Sequence, residues 1–101
     1  MNTLTTGDTK MQVVNLDITA PYLFEMSYIA NPLKGDPAAS KFAIYFNDKL
    51  IADVTPTDKN KHKISERVKG VVGKNTIKML DKSTIPAYGA FVDDIALYEI
   101  H

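Results

Sequence analysis

Asp93 and Asp94 stand side by side inside an otherwise apolar run, Tyr88-Gly89-Ala90-Phe91-Val92-Asp93-Asp94-Ile95-Ala96-Leu97-Tyr98. Strand alternation over that run places Phe91, Asp93, Ile95 and Leu97 on one face, so Asp93 is expected to point toward a core. A carboxylate buried without a partner is costly, which calls for a metal ion, a cationic side chain or converging N–H donors around it. Two structural alternatives stand beside the metal: Asp93 accepting from a neighbouring turn, and Asp94 solvated or paired with a lysine.

Catalytic chemistry finds less support. Adjacent residues of one strand face opposite ways, so Asp93 and Asp94 cannot flank a glycosidic bond as an acid/base pair must. His62 and His101 have no carboxylate and serine partners at a spacing that builds a triad or a histidine metal site. Gly70-Val71-Val72-Gly73-Lys74-Asn75 lacks the phosphate-loop spacing and the hydroxyl residue after lysine. With no cysteine, thiol nucleophiles, thiolate metal sites and disulfides are excluded. The sequence reads as non-catalytic.

The elements that must position these residues have a period of two nearly throughout, with no helical stripe. Met11–Ile18 is expected to be a first strand, preceded by a loose N-terminal arm over residues 1–10 and followed by a break at Ala20-Pro21. Tyr22, Phe24, Met26 and Tyr28 line one face of a long strand that runs to Ala30. Asn31 to Pro37 is a proline- and glycine-bearing loop, and a short helix is conceivable in Asp36–Ser40 or Asp58–Lys63. Lys41–Phe46 and Leu50–Val54 form a hairpin about Asn47-Asp48-Lys49, burying Phe42, Ile44 and Phe46. Strands around Ile64–Val68 and Asn75–Leu80 join through Gly70 and Gly73, and the acidic strand follows a loop over Asp81–Pro86. About seven short strands with turn signals between them predict an antiparallel β-sandwich, with a jelly roll as its architecture.

The chain has 101 residues, 45% hydrophobic and 24% charged, enough for one domain over residues 1–101. Twelve basic and twelve acidic residues cancel, which argues against a general nucleic-acid or anionic-membrane partner. No segment approaches the roughly 18 apolar residues of a membrane span, so no membrane insertion is expected. The cluster Lys59, Lys61, Lys63, Arg67 and Lys69 lacks interleaved aromatics and reads as a solvated strand face. A polar start without a signal sequence is compatible with a cytoplasmic protein, or with an extracellular or cell-surface one if the sequence is part of a longer secreted chain.

Gly73-Lys74-Asn75-Thr76-Ile77-Lys78-Met79, followed by Ala87-Tyr88-Gly89-Ala90-Phe91-Val92-Asp93-Asp94-Ile95-Ala96-Leu97, resembles the C-terminal half of carbohydrate-binding, galactose-binding-like jelly rolls. Gln12, Tyr22–Tyr28 and the Phe42–Leu50 hairpin extend the resemblance over nearly the whole chain. It implies an all-β fold and a binding or adhesion module whose partner is a glycan. It also implies a structural Ca²⁺ held in part by Asp93 and Asp94; calcium takes about six to eight oxygens, and Asp8, Asp17 and nearby carbonyls would supply the remainder if the N-terminal arm folds across the last strand. The N-terminal strand and Gly-rich segment that complete this calcium site in such modules are short or missing here. A shortened jelly roll would expose a strand edge, and the alternative function is therefore an assembly protein that makes protein contacts or homo-oligomers through that edge.

Sugar recognition needs flat aromatic faces and hydrogen-bonding side chains. Tyr45 and Tyr88 are the candidates for stacking, with Asn47, Arg67 and Asn75 as polar contacts. The tyrosines have a structural alternative, Tyr88 packing over an open end of the sandwich and Tyr45 covering the sheet.

Overall fold

In the computed structural model, residues 2–3, 9–30, 36–82 and 90–100 are described, with backbone alone for 2–3 and 9–10. Among these residues the expected period of two produces eight strands: β1 Asn2–Thr3, β2 Thr9–Leu16, β3 Ala20–Ile29, β4 Phe42–Phe46, β5 Lys49–Val54, β6 His62–Gly70, β7 Gly73–Asp81 and β8 Phe91–Glu99. A 3-10 turn at Pro37–Ser40, capped by the Asp36 carboxylate on Ala38 N–H at 3.0 Å, is the one helical segment among the described residues. Two four-stranded antiparallel sheets result, ordered β1-β8-β3-β6 and β2-β7-β4-β5.

Their inner faces share one core. Phe24, Phe42 and Ile44 are fully enclosed, with Met26, Phe46, Ile77, Met79 and Val92 packed around them. Burying each such side chain contributes about 1.5–3 kcal/mol, which sets the alternation on β3, β4 and β7 and hence their register. Tyr28 closes one end, its ring edge-on to Phe42 at 5.5 Å and stacked on His62 at 5.5 Å. At the other end the Tyr22 hydroxyl donates to Ile18 O at 3.0 Å.

Three local features depart from the simple alternating pattern. Pro21 lies within β3, opposite Lys69, and does not break it. Its carbonyl accepts from Ile100 N–H at 3.1 Å, so its nitrogen faces the tail of β8, and the missing N–H costs no bond to β6. The expected loose arm is in part ordered: Asn2–Thr3 pairs with Phe91–Val92, and Thr9–Lys10 begins the ladder to β7.

The third departure overturns the expected orientation of Asp93. Ser27 opposes Asp93 while Glu25 opposes Ala96, so one extra residue is inserted in β8 opposite Met26. Asp94 takes φ 55°, a left-handed conformation suited to such a bulge. Parity reverses there. Val92 before the bulge and Ile95 and Leu97 after it face the core, whereas Phe91 and Asp93 face outward with Ser27 and Ile29.

Candidate functional site

Asn47 and Asp48 form the two-residue turn between β4 and β5, with φ 48° and 66°; asparagine and aspartate tolerate this geometry better than most side chains. The Asn47 N–H donates to Thr76 O at 2.9 Å and the Asn47 side chain completes the ladder: Oδ1 accepts from Thr76 N–H at 2.8 Å and Nδ2 donates to Asn75 Oδ1 at 2.9 Å. Asn75 is itself fully enclosed. Its Oδ1 also accepts from Val71 N–H at 3.0 Å, and its Nδ2 donates to Val71 O at 2.8 Å and Gly73 O at 3.0 Å. All four hydrogen-bonding positions of Asn75 are therefore used by the protein, which removes it as a ligand contact. It is a structural residue.

The remaining candidates separate onto different surfaces. Tyr45 lies half-buried on the outward face of β4, with Lys78 Nζ 4.9 Å from its ring centre, so a cation already covers one face of the ring. Arg67 lies on β6, in the other sheet, and Tyr88 lies outside the described residues. Asp94 is 60% exposed and pairs with Lys61 at 3.1 Å. Of the residues the resemblance implies for calcium, Asp93 is turned to the outward face by the bulge, Asp94 pairs with Lys61, and Asp8 lies outside the described residues. Among the described residues, no three acidic or histidine side chains come together.

Arg67 instead belongs to a row that the sequence reading did not assemble. On the outward face of the first sheet, Tyr98 opposes Leu23, and Leu23 opposes Arg67. Two strand spacings put Tyr98 and Arg67 about 10 Å apart across the sheet. Tyr98 is 54% exposed. Beside this row lie Pro21 and Lys69, opposite each other, and Thr19; with Ala20, Arg67 and Val68 they line an open, mostly apolar depression of about 520 Å³. On the other flank of β6, a smaller cleft of about 190 Å³ is lined by Phe46, Asn47, Lys49 and Ile51 together with Arg67, Val68 and Lys69. Asn47 and Arg67 thus meet at one cleft.

The charge along β6 is uneven. Lys63 is held by Glu25 at 3.2 Å, and Glu25 also accepts from Ser65 at 3.0 Å. Among the described residues no carboxylate pairs with Arg67 or Lys69. Farther along, His62 Nε2 lies 2.7 Å from Asp58 Oδ1; this hydrogen bond, with one from Asn60 N–H, holds the Asp58 carboxyl below its ordinary range. The missed residue, Tyr98, was recoverable as an outward position of the last strand. The acidic pair drew the reading elsewhere.

Solved structures share this fold. A family 35 carbohydrate binding module from an environmental isolate is similar with a TM-score of 0.60 and 14% identity, over 94% of this chain and 72% of that one. A family 35 carbohydrate binding module from Clostridium thermocellum gives 0.65 and 14%, over 95% and 73%. The fold is that of the carbohydrate-binding jelly rolls. The C-terminal domain of the sugar-binding protein EclA shares it at a TM-score of 0.69 and 12% identity, over 95% of this chain and 70% of that one. At such identities the likeness carries the jelly-roll fold and leaves ligand to the residues themselves. Neither a family model nor a curated protein matches the sequence. No helix among the described residues is long and apolar enough to cross a membrane.

Proposed function

We propose that this jelly roll is a non-catalytic glycan-binding module, of the kind that attaches a surface or adhesion protein to carbohydrate. The observation that carries the reading is the Tyr98–Leu23–Arg67 row. It supplies an exposed aromatic ring for the C–H face of a sugar and a guanidinium with paired donors for hydroxyl or carboxylate oxygens. Lys69 and the neighbouring depression extend it. Arg67 and Lys69, unpaired with any carboxylate among the described residues, favour a glycan bearing carboxylates over a neutral one.

The non-catalytic part rests on Glu25. It is the outward carboxylate of β3 beside the row, and Lys63 and Ser65 both hold it, so it is engaged within the protein rather than free to act as an acid or base. Fold likeness to sugar-binding proteins agrees with this reading.

A glycan array comparing neutral and acidic oligosaccharides tests it. Binding concentrated on acidic glycans and reduced about ten-fold or more in Tyr98→Ala and in Arg67→Ala, each a loss of about 1.4 kcal/mol, is the expected result. No glycan signal in the folded protein, or a signal indifferent to both substitutions, would overturn it.

A further inference from the structure

Among the described residues, each sheet ends in two strands with no strand paired on the outer side, and three of these four edges carry features that discourage pairing. Strand β8, capped by β1 at Phe91–Val92 alone, is bulged at Asp94 and acidic at Asp93, Asp94 and Glu99. Strand β6 carries Lys63, Glu66, Arg67 and Lys69, and β5 is charged at Lys49 and Asp53 and has a register shift against β4. Charges and bulges are how natural sheets protect their edges. Strand β2 has neither device. Its ladder to β7 runs unbroken from Thr9–Leu80 to Leu16–Gly73, it contains no proline, and Lys10 is its one charged residue.

The direction of its free backbone groups follows from β7. Thr76 O accepts from Asn47 N–H at 2.9 Å, so the polar groups of Thr76 face β4, and those of Asn75 and Ile77 face β2. Asn75 opposes Val14 and Ile77 opposes Gln12, so Lys10, Gln12, Val14 and Leu16 spend their N–H and C=O groups on β7. Thr9, Met11, Val13 and Asn15 direct theirs to the open edge. Met11 and Val13 are also 63% and 53% exposed, on the outward face of the sheet.

We infer that β2 pairs antiparallel with β2 of a second copy of this chain, about a two-fold axis at Gln12, joining two sheets into one. The four outward-directed residues are symmetric about Gln12, so this register satisfies all of them at once. Thr9 meets Asn15 of the partner copy and Met11 meets Val13, each pair twice. Two Met11–Val13 contacts place exposed apolar side chains against each other, and Lys10 comes opposite Val14, so no like charges face across the axis. An arbitrary strand would satisfy the backbone alone; a second copy also matches the side chains. An edge pairing buries little surface, so the dimer is weak and concentration-dependent.

Sedimentation over a range from about 10 μM to about 1 mM reads the association, the upper end being the regime of weak contacts. The expected result is a dimer fraction that rises across the range. Val13→Pro removes an N–H that points away from β7, so it should abolish the dimer while leaving the folded monomer intact. Met11→Lys combined with Val13→Lys sets lysine against lysine and should abolish the dimer without touching the backbone. The register has its own readout, because the chain has no cysteine. Gln12→Cys brings two thiols together at the axis and should form a disulfide-linked dimer under mild oxidation, at least ten-fold faster than Val13→Cys. A monomer throughout the range would overturn the inference. So would a dimer that survives both the proline and the double-lysine variants, or faster cross-linking at position 13.

Discussion

Asn47 Nδ2 donates to Asn75 Oδ1 at 2.9 Å, tying the tip of the β4–β5 hairpin to the start of β7. The same Asn75 amide holds the β6–β7 connection through Val71 and Gly73, so one buried side chain fixes two turns beside the Arg67 cleft. Replacing it with alanine leaves several backbone groups without partners. Asn75→Ala should destabilise the fold by about 2–4 kcal/mol, given about 1 kcal/mol net for each hydrogen bond and more for groups left buried. Urea denaturation would read this as a lower midpoint at an unchanged slope. A loss below about 0.5 kcal/mol would contradict the structural role assigned to Asn75.

Gly70 and Gly73 frame the same connection for different reasons. A Cβ on Gly70 would sit 2.5 Å from Leu16 Cδ1 and 2.5 Å from Tyr22 Cδ2, and the Tyr22 ring is held by its bond to Ile18. Gly73 has φ 97° and open space around it, so alanine there meets backbone strain alone. Gly70→Ala is therefore expected to cost about 2 kcal/mol or more through overpacking, and Gly73→Ala about 1 kcal/mol. Thermal denaturation of the two variants should show the larger drop at position 70.

The bulge in β8 makes a prediction of opposite sign. Asp94 pays for its left-handed φ of 55°, and its pairing with Lys61 is solvent-exposed and weak. Asp94→Gly should leave the melting temperature unchanged or raise it, whereas Asp94→Val should lower stability by about 1–2 kcal/mol. Equal destabilisation by both would argue against the bulge.

Asp58 gives a pH-dependent signature. Its hydrogen bond with the His62 ring lowers its pKa from the ordinary 3.8, so the contribution to stability is present above that value. It is lost as pH falls through the depressed value in the folded protein. An NMR titration of the Asp58 carboxyl should show a midpoint below 3.8 that moves back toward it in His62→Ala. A midpoint that does not move would remove the His62 contact as its cause.

The sandwich was legible from the sequence because apolar residues at every second position on β3, β4 and β7 commit those strands to a single register. Phe24, Phe42 and Ile44 were placed correctly by that rule. The face of Asp93 was not, because a one-residue bulge reverses parity and nothing in Val92-Asp93-Asp94-Ile95 marks where the extra residue sits. Pro21 misled in a similar way: whether proline breaks a strand depends on where its nitrogen points, which is a property of the neighbouring strand. Asn75 looked available for a ligand, since its enclosure depends on Asn47, 28 positions away, as well as on the adjoining turn at Val71. Tyr98 and Arg67 are 31 positions apart, and pairing through Leu23 alone brings them onto one face.

Ligand binding is expected on that face. A two-dimensional ¹H–¹⁵N NMR titration of the labelled protein with an acidic oligosaccharide locates the ligand residue by residue. The predicted result is a saturable set of shifts centred on Leu23, Arg67, Lys69 and Tyr98, absent in Tyr98→Ala. Shifts centred on Tyr45 and Lys78, across the sandwich, or no saturable shifts at all, would contradict it.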